Sequence, residues 1–235
     1  MITGASAGIG RQAAISASAA GARVFVTGRN GQKLAETFSA LVPGPEHLSS
    51  TADLTLVEDR ERLAGELPAI DGLVHCAGLT LLRPFKFSDE QRYREVYAIN
   101  VEAPYFLTQC IMKARKLNTA ASIVFISSIS PNVGTKGHSV YSGSKAAVQG
   151  ISRVLAHEMA AQKIRSNCIS PGMVTTEVAE GMAEQISPEL LALDQARYPL
   201  GYGTPEDVAH AVVFFLAPAS RWITGTNLIM DGGLT

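Results

Sequence analysis

The chain has 235 residues, 46% of them hydrophobic and only 17% charged, with a formal net charge of −1. That length suits one large α/β domain with a sizeable core, and the charge gives no global reason to expect nucleic acid or an acidic membrane as partner. No apolar run reaches the ~20 residues of a membrane helix and no signal peptide is visible, so a soluble, cytoplasmic protein is expected.

Three cysteines, Cys76, Cys110 and Cys168, sit in apolar surroundings without metal-ligand spacing, which suits buried thiols in a reducing compartment. The five histidines, His47, His75, His138, His157 and His210, form no ligand cluster, so no metal is expected.

Along the chain, strand-like apolar runs alternate with longer helical patterns. Only Met1 and Ile2 precede Thr3, whereas a buried central strand normally needs about 5–6 residues. Either the sequence lacks the start of this strand or the strand is unusually weak; we favour the former. Thr3-Gly4-Ala5-Ser6-Ala7-Gly8-Ile9-Gly10 then opens a helix from Ile9 to Ala20. A strand end, a Gly-x-x-x-Gly-x-Gly turn and a helix start form a context that suits a dinucleotide. Gly4 allows the tight turn, Gly8 close approach to the diphosphate, and Gly10 close helix packing, while the helix N-terminus favours phosphate.

Arg23 to Thr27 reads as the next strand, followed by Gly28-Arg29-Asn30. An acidic residue here would hold a ribose 2′-hydroxyl. Arg29 suits a 2′-phosphate instead, so NADP(H) is favoured, with NAD(H) possible and a merely solvated arginine as the bland alternative. Helices are expected over Gln32 to Leu41, Val57 to Leu67, Gln91 to Arg115, Tyr141 to Gln162 and Pro205 to Ala217. Further strands are expected at Gly72 to Cys76, Ser122 to Ser127, Arg165 to Ser170 and Asn227 to Asp231. Near-continuous apolar strands separated by helices predict a Rossmann-type doubly wound parallel sheet, three layers α/β/α, in a single domain over 1–235. The stretch from Glu177 to Tyr198 lacks a strand and mixes apolar residues with acids. It reads as a substrate lid, with a structural helical hairpin as the alternative.

Tyr141 and Lys145 are four residues apart in Tyr-Ser-Gly-Ser-Lys, with Ser128 thirteen residues upstream of the tyrosine. On a helix such a pair shares one face. An ammonium beside a phenol favours the phenolate and lets it exchange a proton below its ordinary pKa of about 10. A serine hydroxyl can bond the same substrate oxygen, giving an acid–base device for a carbonyl–alcohol pair. Ser127 competes for that task, but the spacing to Tyr141 favours Ser128.

Together these motifs resemble the short-chain dehydrogenase/reductase family, from Thr3 to the final Asp231-Gly232-Gly233. The resemblance implies that Asn100, Ser128, Tyr141 and Lys145 are catalytic, with Asn100 holding a water that links Lys145 to solvent. It implies cofactor contacts from Gly4, Ser6, Ala7, Gly8, Ile9, Gly10, Arg29 and Asn30, and from Asp53 and Leu54 beside the adenine. Ala77 and Gly78 would approach the cofactor closely, Tyr141 and Lys145 would reach its ribose, and Pro171, Gly172, Val174 and Thr176 would lie beside the nicotinamide.

Two departures stand out. His75-Cys76-Ala77-Gly78 replaces the usual Asn-Asn-Ala-Gly, with His75 read as a core residue. Pro131 and Asn132 stand where glycine is common, which alters the loop lining the substrate pocket.

The implied function is an NADP(H)-dependent ketone reductase similar to 3-oxoacyl-carrier-protein reductases, on a small-molecule substrate carried by acyl carrier protein or CoA. A sugar, polyol or steroid alcohol dehydrogenase is the alternative, and a non-catalytic cofactor-binding scaffold a remote one. Lys113, Arg115, Lys116, Lys163 and Arg165 are candidate cations for an acidic carrier, or ordinary solvated helix ends. By analogy the long helices and C-terminal strand imply a homotetramer, with a dimer as runner-up.

Overall fold

The computed structural model describes residues 1–44, 46–177 and 187–235. Seven parallel strands form one sheet: β1 Ile2–Thr3, β2 Phe25–Gly28, β3 Leu48–Thr51, β4 Ile70–His75, β5 Leu117–Ile126, β6 Arg165–Pro171 and β7 Asn227–Met230. Their order is β3-β2-β1-β4-β5-β6-β7. The chain therefore winds outward from β1 in one direction and then, from β4, in the other. This reversal opens a crevice at the carboxyl ends of β1 and β4, where ligands bind in such sheets.

Helices α1 Gly8–Ala19, α2 Gly31–Ser39, α3 Val57–Glu66, α4 Glu90–Tyr97, α5 Ala103–Lys113, α6 Ser130–Val133 and α7 Ser139–Glu158 follow in chain order. α8 Pro188–Gln195 and α9 Pro205–Leu216 complete the set among the described residues. Strand side chains alternate between the two faces. Leu73, Ile123, Phe125 and Cys168 pack with Leu63, Leu107, Ile111 and Val148 on the face covered by α3, α5 and α7. Their neighbours Val74, Val124, Ile126 and Ile169 pack with Ala13, Ala14, Val208, Val212 and Phe215 on the face covered by α1 and α9. A sheet buried on both sides explains the unbroken apolar runs of the central strands.

Two expectations need correction. Strand β3, Leu-Ser-Ser-Thr, is an edge strand with only half-buried or exposed residues, so its polar sequence hides it. The single helix expected over Gln91 to Arg115 is interrupted by a π-turn at Ala98–Glu102, where the Ala103 N–H bonds the carbonyl of Ala98. Pro104 follows and has no N–H to return to the Asn100 carbonyl, so the ordinary α register cannot run through this point.

The expected first strand is present as two residues, with Ile2 paired to Val26 on one side and Val74 on the other. Of the proposed lid, 178–186 lie outside the described residues. Its remainder carries α8, which exposes Leu190 and Leu193 and is tied to the following loop by the Tyr202 hydroxyl, which donates to Asp194 Oδ2 at 2.9 Å.

Candidate active site

The glycine turn after β1 is built by close approach. Gly4, at φ +64°, lies where a Cβ would come within 2.6 Å of the Ala77 backbone nitrogen. Gly10 lies where one would strike the Gly4 carbonyl. The Thr3 hydroxyl accepts the N–H groups of Cys76 and Ala77 at 3.1 and 3.2 Å, locking the ends of β1 and β4 together. Among the described residues no side chain caps α1, and its first turn carries no acid. Its dipole end is thus open to an anion. A Cβ on Gly8 would press on Thr176 at 3.3 Å, so the turn and the segment after β6 meet across a narrow gap. These features fit a dinucleotide.

Arg29 is exposed at the end of β2, and its field helps hold the Asp53 carboxyl below its usual range. Burial acts on that carboxyl in the opposite sense and is outweighed by the bonds from Thr55 together with Arg29. Asn30 is spent as the N-cap of α2, accepting the Lys33 N–H at 3.0 Å, while its carbonyl accepts the Ser6 hydroxyl. Leu54 is buried beside Asp53. Pro171 ends β6, and the Gly172 N–H donates to the Met230 carbonyl at 2.8 Å. Val174 forms a bridge to Gly203, and Thr176 lies beside the glycine turn.

Asn100, Ser128, Tyr141 and Lys145, the tetrad expected from the sequence, meet at the carboxyl side of β4 and β5. The Ser128 hydroxyl stands close enough to Tyr141 to favour its ionised form, and its Oγ accepts the Ser130 N–H at 3.1 Å. Lys145, one turn after Tyr141, is buried and donates from Nζ to the Ile126 carbonyl at 2.8 Å. Burial lowers its pKa to about 8.

The expected depression of the tyrosine by the lysine is not what the geometry gives. Lys145 Nζ stands 5.7 Å from the centre of the Tyr141 ring and is committed to a carbonyl. Burial pushes the Tyr141 hydroxyl up, and only the nearby Ser128 hydroxyl works against it. The phenol is therefore protonated here, the form a proton donor needs.

Asn100, on the π-turn, is 2% exposed and bonds both Leu79 and the Ser144 hydroxyl, all within 2.9 Å. Both amide hydrogens are used, so a water at this side chain would have to donate to Oδ1. A Cβ on Gly78 would come within 3.2 Å of that oxygen and 3.4 Å of Lys145 Nζ, so all three groups crowd one point.

His75 is a core residue, as expected. It stacks on Phe125 with ring centres 4.8 Å apart and bonds Thr108 Oγ1 at 2.9 Å. The threonine hydrogen goes to the Pro104 carbonyl, so Nε2 is the donor of the pair, and Nδ1 has no partner among the described residues. Burial lowers its pKa to about 3 and keeps it neutral. Cys76 is likewise held as a thiol, pushed up to about 12 by burial. Among the described residues no group of three or more His, Cys, Asp or Glu could hold a metal, and no helix is long and apolar enough to cross a membrane.

Sequence reasoning missed Ser144 and Leu79, the partners that hold Asn100. Ser144 lies inside the quoted Tyr-Ser-Gly-Ser-Lys, but its place on the face toward α4 and α5 is a tertiary fact.

A family model described as enoyl-(acyl carrier protein) reductase matches residues 4–235. This chain belongs to the short-chain dehydrogenase/reductase family. It is 32% identical over 249 residues to the (3R)-3-hydroxyacyl-CoA dehydrogenase of Mus musculus, covering 100% of this chain and 95% of that one. It is 31% identical over 235 residues to the 3-oxoacyl-[acyl-carrier-protein] reductase FabG of Rickettsia bellii, again covering 100% and 95%. The crystal structure of a single-substitution variant of actinorhodin polyketide ketoreductase with NADPH superposes with a TM-score of 0.92 at 29% identity, covering 99% of this chain and 95% of that one. The protein is an oxidoreductase of this family, which uses NAD(P)(H) and acts on secondary alcohols and ketones.

Proposed function

We propose that the protein is an NADPH-dependent ketone reductase acting on 3-oxoacyl thioesters. The observation that carries this reading is the close approach of the Ser128 and Tyr141 hydroxyls, with the Lys145 ammonium 5.7 Å from the Tyr141 ring centre one turn on. Two adjacent hydroxyls can donate to a single carbonyl oxygen and stabilise the alkoxide that develops there. The nicotinamide cofactor supplies the hydride when bound. Tyr141 gives its proton to the alkoxide oxygen, and Lys145, whose pKa of about 8 lets it exchange protons near neutrality, stands next in line to restore it. Asn100 Oδ1 is the acceptor for a water between Lys145 and solvent.

Arg29 favours NADPH because its guanidinium is exposed at the end of β2 and would pair with a 2′-phosphate. The substrate class follows from the rim of the site. Leu79, Leu82, Phe85, Phe87 and Met173 are exposed on segments that follow the carboxyl ends of β4 and β6. Such a rim suits an acyl chain better than a polyol. Leu190 and Leu193 are exposed on α8, within the segment read as a substrate lid.

The expected carrier-docking cations need revision. Arg165 is buried and bonded to Ser220. Lys113, Arg115, Lys116 and Lys163 lie where α5 leads into β5 and α7 into β6, the amino edge of the sheet, away from the tetrad. A carrier protein bound at the site would meet Lys86 and Lys136 instead, Arg83 being paired with Asp89. The protomers would assemble into a homotetramer through α4, α5, α7 and β7.

The test is turnover: NADPH oxidation with acetoacetyl-CoA and with an acyl-carrier-protein thioester, set against polyol oxidation with NADP. Faster turnover of the polyol would reverse the assignment.

A further inference from the structure

Behind the tetrad runs a polar chain that the acid–base chemistry does not use. Gln149 lies one turn beyond Lys145 on α7. Its Nε2 donates to Ser127 Oγ at 3.0 Å and to Ser170 Oγ at 3.4 Å. Ser127 Oγ donates to the Lys145 carbonyl at 3.0 Å, and Ser170 Oγ donates to Asn227 Oδ1 at 2.6 Å. The bond to the Lys145 carbonyl can run only one way, and the bond to Asn227 follows from its amide oxygen facing Ser170. Each hydroxyl has one hydrogen and sends it outward, so each must accept from Gln149, whose amide must present its two hydrogens inward. Ser127 is 3% exposed and Ser170 0%, so a bond lost here is not replaced by bulk water.

The chain links β7, β6 and β5 to α7 and ends on the main chain of Lys145. On the strand side it ends at Ser127, which lies between Ile126, the acceptor for Lys145 Nζ, and Ser128, the partner of Tyr141.

We infer that Gln149 is a positioning residue: it holds the Ser127 hydroxyl on the Lys145 carbonyl, and so sets the spacing between β5 and α7 across which Lys145, Tyr141 and Ser128 meet. This rests on the acid–base reading of those three residues. It divides the tandem serines, with Ser127 bracing the helix and Ser128 facing the tyrosine. Gln149→Glu keeps the shape but removes both donor hydrogens. The serines would then turn their own hydrogens toward the carboxylate, and the brace on Lys145 would be lost. Loosening the brace admits water to the Lys145 ammonium and relieves the burial that disfavours its charged form.

The test reads Lys145 directly. Its acetylation by acetic anhydride is followed by mass spectrometry across pH 6 to 11 in the intact protein, for the parent chain, Gln149→Glu, Ser127→Ala and the double variant. No substrate is needed, so a wrong substrate class leaves the test intact. Cys76 and Cys168, whose fields reach Lys145, and Tyr141 beside it are unchanged in all four proteins.

Each single variant is expected to raise the labelling midpoint by about one unit, roughly tenfold in rate at fixed pH, and the double variant by no more. A Gln149→Glu shift that persists in full in the Ser127→Ala background would be a direct charge effect and would overturn the proposal. So would an unmoved midpoint in folded Gln149→Glu. If that variant does not fold, Gln149→Met replaces it in the same cycle. A shift of the same sign that disappears with Ser127→Ala supports the brace, and no shift or a retained one overturns it.

Discussion

Asn100 grips Leu79 by both of its backbone groups, accepting its N–H at 2.7 Å and donating to its carbonyl at 2.9 Å. Its remaining hydrogen goes to Ser144, which in turn bonds the Tyr141 carbonyl at 2.7 Å. One amide thus ties the loop after β4 to the helix that carries Tyr141 and Lys145. Asn100→Asp would set carboxylate lone pairs against the Leu79 carbonyl in a site only 2% exposed. We expect a loss of about 2–4 kcal/mol in urea unfolding, and a larger drop in kcat than in NADPH affinity.

Lys145 trades stability for chemistry. Its pKa falls from 10.5 to about 8 because burial disfavours the ammonium. Between those values the unfolded chain binds more protons than the folded one, so this group's contribution to stability rises with pH. Below pH 8 its penalty is fully present. Lys145→Met should therefore be inactive yet more stable at pH 7, on the order of 2 kcal/mol after loss of the bond to Ile126. The gain should shrink as pH climbs from 8 to 10.5. Urea unfolding at pH 7 and pH 10 measures both.

His75 sets an acid limit. Its pKa is lowered from 6.5 to about 3 by burial, so between those values the unfolded chain takes up a proton that the folded chain refuses. Stability from this group is present above 6.5 and is lost as pH falls toward 3. His75→Asn should move the acid-unfolding midpoint, followed by circular dichroism, to lower pH. Its kcat should stay within about twofold, since the ring touches Thr108 and Phe125 and none of the tetrad.

Arg29 bears on the choice of cofactor. Arg29→Ala should weaken NADPH binding about tenfold or more and leave NADH within twofold, as read by fluorescence titration. Equal losses for both would assign Arg29 to a role other than the 2′-phosphate.

Much of this molecule is legible from one sequence because its rules are local. The glycine turn declares a strand–helix junction, and the apolar runs of β4, β5 and β6 declare a sheet covered on both faces. Tyr141 and Lys145 share a helix face by spacing alone.

What escapes is what depends on neighbours. β3 hides because an edge strand needs no apolar run. The break at Ala98–Glu102 depends on a register shift ahead of Pro104 that periodicity does not reveal. Arg165 reads as an exposed cation but is buried and bonded to Ser220. Lys145 reads as the tyrosine's electrostatic partner, yet its ammonium goes to the Ile126 carbonyl, an acceptor on another strand.

The most direct measurement is steady-state NADPH oxidation with acetoacetyl-CoA by the purified protein and by Tyr141→Phe, with NADPH affinity determined for both. The proposed chemistry predicts turnover by the parent protein, loss of at least about a thousandfold in Tyr141→Phe, and NADPH affinity within about threefold. Comparable turnover in the two proteins would contradict the role of Tyr141 as proton donor.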